Sequence, residues 1–377
     1  MNTVLDTVVI GGGAMGSAAA WALSRRGREV TLVEQFGPGH RIGASHGATR
    51  NLNPGYHQPE YVAMLTEGLA LWEELEQESG LQLLARTGIV SHGVNPHFAE
   101  VASALTAAGI RAEFLDPAEA AERWRGIRFD RQVLHMPDGG QLNPEAALPA
   151  LQLIAAARGA EIRHHTKVVE FAVFDDGVRL TLESAAGTEV VTAAQAVVTA
   201  GGWTEKLLAQ ASGKDAGGIR IPKLTVTQEQ PAHFRITDDG AMWPGFNHYP
   251  APDYQGWYSP VYGMQTPGEG IKAGWHGVGP VVDPDNRDFL PEPAQLAALQ
   301  DYARKWLPGV DGDSFEPISC TYTTTPDEDF ILDRLGPVVI GAGFSGHGFK
   351  FTPVIGRILA DLATGTRPAP EIFRASR

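Results

Sequence analysis

Thr3 to Glu34 reads TVLDTVVIGGGAMGSAAAWALSRRGREVTLVE, and the order of residue types in it decides the fold. Residues 3–10 are mostly β-branched and apolar, as a buried strand requires, and GGGAMG follows with no spacer. SAAAWALSRRG then supplies strong helix formers and stops on Gly27, after which REVTLVE returns to strand formers and ends at the FGPGH cluster. Strand, tight turn, helix and second strand within about 30 residues make one βαβ unit. Gly11, Gly13 and Gly16 fit G-x-G-x-x-G where that spacing has a mechanism, after a strand and opening a helix. Gly11 permits the turn, Gly13 lets a pyrophosphate approach the helix start, Gly16 lets helix and strand pack, and Glu34 can accept hydrogen bonds from an adenosine ribose. Ala14, Met15 and Gln35 complete the expected contact set. The fingerprint takes FAD or NAD alike, while the Glu34 carboxylate would repel the 2′-phosphate of NADP.

Outward from this unit, the 377 residues carry 30 Lys plus Arg against 44 Asp plus Glu, a formal charge of −14, which argues against a nucleic-acid surface. At about 100 to 200 residues per domain, the length suits two or three units. The single cysteine, Cys320, excludes an intrachain disulfide and a Cys-rich zinc site. The start has no basic leader and no uncharged apolar run approaches the roughly 18 residues of a membrane span, so a soluble cytoplasmic chain is the expectation.

A long loop is expected from 36 to 59, then a helix over 61–79 with Leu65, Leu69, Trp72 and Leu75 on one face. Residues 87–138 read as short strands and a helix of another unit. A helix between 143 and 159 and the strands before Gly201-Gly202 return to the first unit. Residues 219–276, rich in aromatics, Pro and β-branched types, suit a twisted antiparallel sheet, followed by a helix over 293–306, a strand over 336–340 and a closing helix over 354–364.

Several stretches carry chemistry. Gly43-Ala44-Ser45-His46-Gly47 matches G-x-S-x-G, but a nucleophile elbow needs a strand before it and a helix after it; a loop running beside a bound dinucleotide and placing Arg50 there is the better reading. Cys320 lies in the polar segment ISCTYTTTPDEDF, where composition leaves an inert thiol and a cofactor tether both open. GAGFSGHGFKF (341–351) combines four glycines with His347 and Lys350 between a strand and a helix, which suits close backbone approach and a cation aimed at negative charge. Lys272 stands mid-strand in GIKAGWH, where an ordinary strand would point it to water. His92/His97 and His164/His165 lack supporting ligands at metal-binding spacing, so no metal is expected.

In order and spacing, VVIGGGAMGSAAAWAL, SHGATR, VVTAGGW, SCTYTTTPDEDFILD and GAGFSGHGFKF resemble the family of monomeric sarcosine oxidase and N-methyltryptophan oxidase, over nearly the whole chain. The cysteine segment followed by GFSGHGFK is the specific part. The resemblance implies an α/β plus α+β protein, with a Rossmann-type FAD-binding domain from discontinuous segments (1–86, 143–215 and 320–377) and a substrate domain (87–142 and 216–319) around a mixed, largely antiparallel β-sheet. It implies that Cys320 bonds the 8α-methyl of FAD and that Ser45, His46, Thr49, Arg50, Gly343, Phe344, Gly346, His347, Gly348 and Lys350 sit against the cofactor. Lys272 is then similar to the family lysine over the flavin face opposite the substrate, where its charge would favour reduction of O2. Lys350 resembles the lysine that pairs with the substrate carboxylate, and His276, Tyr258, Tyr322 and His347 line the substrate cavity or flavin edge.

One departure matters: the family pattern has a second arginine three positions after Arg50, and here that position is Asn53. A lysine alone holds a carboxylate as a point charge, without the fork an arginine adds. Sarcosine is thereby disfavoured against a larger secondary amine or imino acid held by Trp257, Tyr258 and Tyr262, with His57 the nearest alternative cation. The implied activity is FAD-dependent oxidation of the carbon next to an amine nitrogen, with O2 as acceptor and H2O2 as product, plus formaldehyde if an N-methyl is oxidised. Oxidation of a cyclic imino acid would give none, and an NAD-dependent dehydrogenase would leave Cys320 and GFSGHGFK without a role. The expected partners are a small amine and O2, with no nucleic acid, no membrane and a monomeric chain.

Overall fold

A computed structural model describes residues 3–213, 217 and 219–377. The opening unit forms as its residues dictate: β1 (Thr3–Ile10), α1 (Ala14–Ser24) and β2 (Val30–Val33), with β1 parallel to β2 and to the strand Gly187–Val198. Every residue of α1 is buried, and its small side chains allow close crossing by the helix Thr352–Thr364; a Cβ on Gly356 would lie 2.5 Å from the Ala18 backbone. β1, β2, Glu161–Arg163, Lys167–Phe174, Gly177–Ser184, Gly187–Val198, Ile331–Leu335 and Val338–Ala342 build one eight-stranded sheet.

A second eight-stranded sheet takes strands from two stretches of chain. Ile89–Gly93, Glu113–Leu115 and Val133–Met136 join Gly245–Tyr249, Val261–Thr266, Gly270–Trp275, Ala232–Ile236 and Val310–Pro317, with Ile89–Gly93 parallel to Gly245–Tyr249 and the other pairs antiparallel. The helix Pro293–Trp306 packs beneath it through Leu299, Tyr302, Ala303 and Trp306. The protein is thus a mixed α/β fold. The expected boundary at 215/216 lies outside the described residues. The long loop expected from 36 to 59 is interrupted by β3 (Arg50–Leu52), which pairs with Gly140–Leu142; that strand also pairs with Leu84–Ala85, so three short strands join the segments around the first sheet. Among the described residues no helix is long and apolar enough to cross a membrane.

Alternation assigns the two faces of the second sheet. Asn247, Tyr262, Met264, Lys272 and Gly274 share one face, because they pair across neighbouring strands; Phe246, His248, Val261, Ala273 and Trp275 share the other. On that other face His92 and His248 stack at 3.7 Å inside a box of Phe129, Tyr254, Trp257, Tyr302 and Trp306. Both rings are fully buried, and neither nitrogen of His92 has a hydrogen-bond partner. Burial therefore pushes His92 down to about 3 and His248 well below its ordinary range.

Both imidazoles are neutral in the fold but titrate near 6.5 in the unfolded chain, so below that pH the unfolded chain binds more protons. Stability present above about pH 6.5 is accordingly lost as pH falls toward 3. Urea unfolding should show a falling midpoint from about pH 7.5 to 5.5, and His92→Leu should reduce that fall. An identical fall in the variant would contradict the assignment.

Candidate active site

A trough of about 550 Å³ opens at the N-terminus of α1. Gly11 has φ +100°, and a Cβ there would lie 2.5 Å from the Thr199 carbonyl; one on Gly16 would lie 1.8 Å from the Gly11 carbonyl. Both glycines are required by the turn itself, and Gly16 sits behind the trough without lining it. Glu34, 6% exposed, accepts from the Gly12 N–H at 2.7 Å and the Phe36 N–H at 2.9 Å, which holds its carboxylate beside the turn. Ser45 Oγ accepts from the Ala14 N–H at 3.0 Å, so the 43–47 segment folds over the helix start. His40 Nδ1, His46 Nε2 and His164 Nδ1, buried along the trough, have no hydrogen-bond partner. Unpartnered buried polar atoms call for a ligand.

A second chamber, about 630 Å³, meets the trough at a wall shared by His46, Arg50, Cys320, Tyr322, Gly346 and Phe349. β3 sets Arg50 in that wall, where its guanidinium donates to the carbonyls of Thr49 at 2.9 Å and Ala44 at 2.8 Å and to that of His46. Arg50 Nη2 lies 4.0 Å from Cys320 Sγ. Behind the cysteine, buried Arg287 donates to the Ile42 carbonyl at 2.6 Å, to Ser319 Oγ at 2.7 Å and to the Cys320 carbonyl at 3.4 Å, tying the Cys320 strand to the loop over the trough. A Cβ on Gly346 would fall 2.2 Å from the Tyr322 ring, so that glycine makes room for Tyr322.

Two lysines are buried in the chamber wall. Lys272 is 5% exposed and Lys350 6% exposed, and neither has a carboxylate in hydrogen-bond reach among the described residues. Lys272 Nζ donates to the Thr49 carbonyl at 2.7 Å. Burial, helped by the Arg50 charge, pushes it down to about 7. Lys350 Nζ donates to Tyr56 Oη at 2.9 Å and the His347 carbonyl at 2.8 Å, and burial pushes it down to about 7 as well. Tyr56 Oη lies 3.0 Å from His347 Nδ1, and His347 Nε2 lies 3.2 Å from the Glu328 carbonyl. Only Nε2–H can donate to a carbonyl, so Nδ1 is the acceptor for the Tyr56 hydroxyl, whose oxygen faces the ammonium.

Of the expected residues, Gly11, Gly13, Ala14, Met15, Glu34, Gln35, Ser45, His46, Arg50, Cys320, Gly343, Phe344, Gly346 and Gly348 line the trough. Asn53, Lys272, His276, Tyr322, His347 and Lys350 line the chamber. The chamber side of Tyr322 holds His276, exposed into it, with Nδ1 3.2 Å from Tyr322 Oη.

Six residues stand elsewhere than expected. Tyr258 is 46% exposed and leans on Trp275, and Trp257 belongs to the aromatic box, because both follow the opposite face of the sheet; of that trio only Tyr262 reaches the chamber. Thr49 is 3% exposed and engaged by Thr266 Oγ1 at 2.8 Å, Arg50 and Lys272, so it supports the cations and does not face the trough. His347 and Lys350 line the chamber and not the trough, with His347 Nδ1 and Lys350 Nζ both meeting Tyr56 Oη. His57 stacks on His97 at 4.7 Å and cannot serve as the missing cation. His97 in turn has His57 and Glu100 beside it, neighbours that its spacing did not disclose; near-parallel imidazoles do not aim at a common ion, and no metal is assigned.

The family model described as FAD dependent oxidoreductase (DAO) matches residues 6–362. Monomeric sarcosine oxidase from Bacillus sp. (strain NS-129) is 34% identical, over 97% of this chain and 94% of that protein. N-methyl-L-tryptophan oxidase from Salmonella newport (strain SL254) is 30% identical, over 99% and 98%. The solved structure of NikD, an unusual amino acid oxidase essential for nikkomycin biosynthesis, superposes with a TM-score of 0.84 at 27% identity, covering 99% of this chain and 98% of that one. The chain belongs to the FAD-dependent oxidoreductase family. Within it the chain falls among the sarcosine oxidase-like enzymes, FAD-dependent amine oxidoreductases with O2 as acceptor. The trough fits the FAD dinucleotide on its own evidence: a glycine turn, a buried carboxylate held beside it and unpartnered imidazole nitrogens.

Tyr56 was not among the residues expected at the site; no motif marks it, and only folding brings it to Lys350. Removing its hydroxyl by Tyr56→Phe takes one of two acceptors from the ammonium, so Lys350 should titrate lower still. Because an anion is held only by the charged lysine, binding of a small carboxylate should fade as pH rises through about 7, and in Tyr56→Phe this should happen at lower pH. Fluorescence titration at about pH 8 should give a Kd raised about tenfold, the loss of one charged hydrogen bond.

Proposed function

We propose that this enzyme oxidises the α-carbon or N-methyl carbon of a secondary amine bearing a carboxylate, acting as a monomer, with FAD tethered through Cys320. The observation that carries the reading is the shared wall: Cys320 and Arg50 stand where the dinucleotide trough ends and the lysine-bearing chamber begins. FAD bound there supplies a two-electron acceptor that O2 regenerates.

The protein's part is holding, orienting and excluding water. Lys350, whose ammonium donates to Tyr56 Oη and the His347 carbonyl, is placed to hold the substrate carboxylate. Tyr56, Tyr249, Tyr262 and Tyr322 wall the chamber and favour the uncharged amine, whose lone pair drives loss of the hydrogen on the adjacent carbon without a strong protein base. Lys272 supplies positive charge on the side of Thr49 and Arg50, where it favours electron transfer to O2. For an N-methyl substrate the reaction balances as R–NH–CH3 + O2 + H2O → R–NH2 + CH2O + H2O2. Equimolar H2O2 and formaldehyde from an N-methyl amino acid support this reading; H2O2 without formaldehyde, from a cyclic imino acid, moves the oxidised bond into a ring. Neither product from any amine overturns it.

Asn53 Oδ1 accepts from the Gly55 N–H at 2.9 Å and so caps its own turn, contributing no charge. Asn53→Arg adds a fork to the chamber that holds Lys350 and should raise kcat/KM for small N-methyl amino acids about tenfold, the worth of a charge-assisted pair. The tether predicts that flavin stays with acid-precipitated wild-type polypeptide and is released from Cys320→Ser. Flavin that washes out of the wild type would remove Cys320 from the assignment.

A further inference from the structure

Lys272 is one of a row. Its strand places it directly opposite Met264 on one side and His233 on the other, and His233 stands directly opposite Glu316 on the edge strand Val310–Pro317. Directly opposed residues present their side chains to one face, about 5 Å apart. Lys272, His233 and Glu316 therefore form a lateral file from the buried chamber to the sheet edge, and all three line that chamber. Hydrogen bonds run alongside it. His233 Nε2 lies 3.2 Å from Thr266 Oγ1 and 3.3 Å from Glu269 Oε2, and Thr266 Oγ1 lies 2.8 Å from Thr49 Oγ1, in the residue whose carbonyl holds Lys272. His233 is 7% exposed, whereas Glu269 and Glu316 face solvent.

From this juxtaposition we infer that His233, fed by Glu269 and Glu316, returns to Lys272 the proton that this lysine yields during oxygen reduction. The inference rests on the proposed role of Lys272. Converting O2 to H2O2 takes two electrons and two protons. The amine C–H bond gives both electrons and one proton, leaving an iminium; Lys272 gives the second proton, and hydrolysis of the iminium releases one to the bulk. Each turnover thus leaves Lys272 neutral. The charged or titratable groups acting on it are Arg50, Cys320, Glu269 and Glu145; Arg50, Cys320 and Glu145 stand in the wall shared by trough and chamber, whereas Glu269 touches His233, and His276 and Lys350 line the same chamber with no hydrogen bond to Lys272. His233 is the titratable side chain next to it on a path to solvent, and burial together with the Lys272 charge pushes it down to about 4, so it relays as a neutral imidazole. It is a positioning residue for proton return and is not placed against the amine.

Two readouts test this on the flavin-loaded protein. The first is exchange of the Lys272 ammonium protons with water, followed by NMR in 15N-lysine-labelled oxidised enzyme. The second is reoxidation of anaerobically reduced enzyme by O2 in a stopped-flow instrument, with amine-dependent reduction recorded alongside. His233→Leu should slow both exchange and reoxidation about tenfold or more at about pH 8, and added imidazole should restore both, as for a missing proton carrier. Should that variant not fold, the surface pair Glu269→Gln and Glu316→Gln is expected to slow exchange several-fold. Unchanged exchange and reoxidation, or a loss that imidazole leaves in place, overturns the relay. Lys272→Met with undiminished reoxidation instead overturns the lysine's own role, so the two failures are told apart.

Discussion

Two ammonium groups withdrawn from water and answered by carbonyl and phenol oxygens, with no carboxylate in hydrogen-bond reach among the described residues, are the constraint on which the site depends. Withdrawing a charge from water is expensive unless it is paired, and here Lys272 leans on the Thr49 carbonyl and Lys350 on Tyr56 and the His347 carbonyl. Each lysine is therefore poised near neutrality and leaves positive potential in the chamber. A substrate anion relieves one of them. Electron transfer to oxygen makes use of the other. A salt-bridged lysine in either place would be inert toward both.

The fold serves this constraint by bringing three distant stretches to one wall. β1 and α1 present the glycine turn, β3 presents Arg50, and the strand Cys320–Thr324 presents Cys320 and Tyr322. Arg287 closes the arrangement by bonding both the loop over the trough and the cysteine backbone. The second sheet contributes by alternation: its face toward the chamber carries Lys272, His233 and Tyr262, and its far face buries an aromatic box around two neutral histidines. One sheet thereby supplies both polar chemistry and an apolar support.

Local elements were legible wherever the code is local. The opening βαβ unit and the helix Pro293–Trp306 follow from residue type, period and punctuation, and the resemblance carried by SHGATR, the cysteine segment and GFSGHGFK located the family. Facing was not legible. Trp257 and Tyr258 precede a strand across a proline, so their parity cannot be read from neighbours, and they fall on the far side of the sheet. Glycines 343, 346 and 348 looked like ligand clearance, yet Gly346 is glycine because of Tyr322 and Gly348 because of Phe344. Tyr56, His233 and Arg287 belong to no motif, and their roles arise from contacts between residues far apart in the chain.

The most direct measurement is anaerobic mixing of the flavin-loaded protein with a panel of secondary amines and N-alkyl or cyclic amino acids, following the absorbance of the oxidised flavin. At least one carboxylate-bearing secondary amine should bleach it within the time of turnover, and more slowly as pH rises above the range in which Lys350 is charged. Bleaching by a nicotinamide dinucleotide alone, with every amine without effect, would contradict amine oxidation by this enzyme.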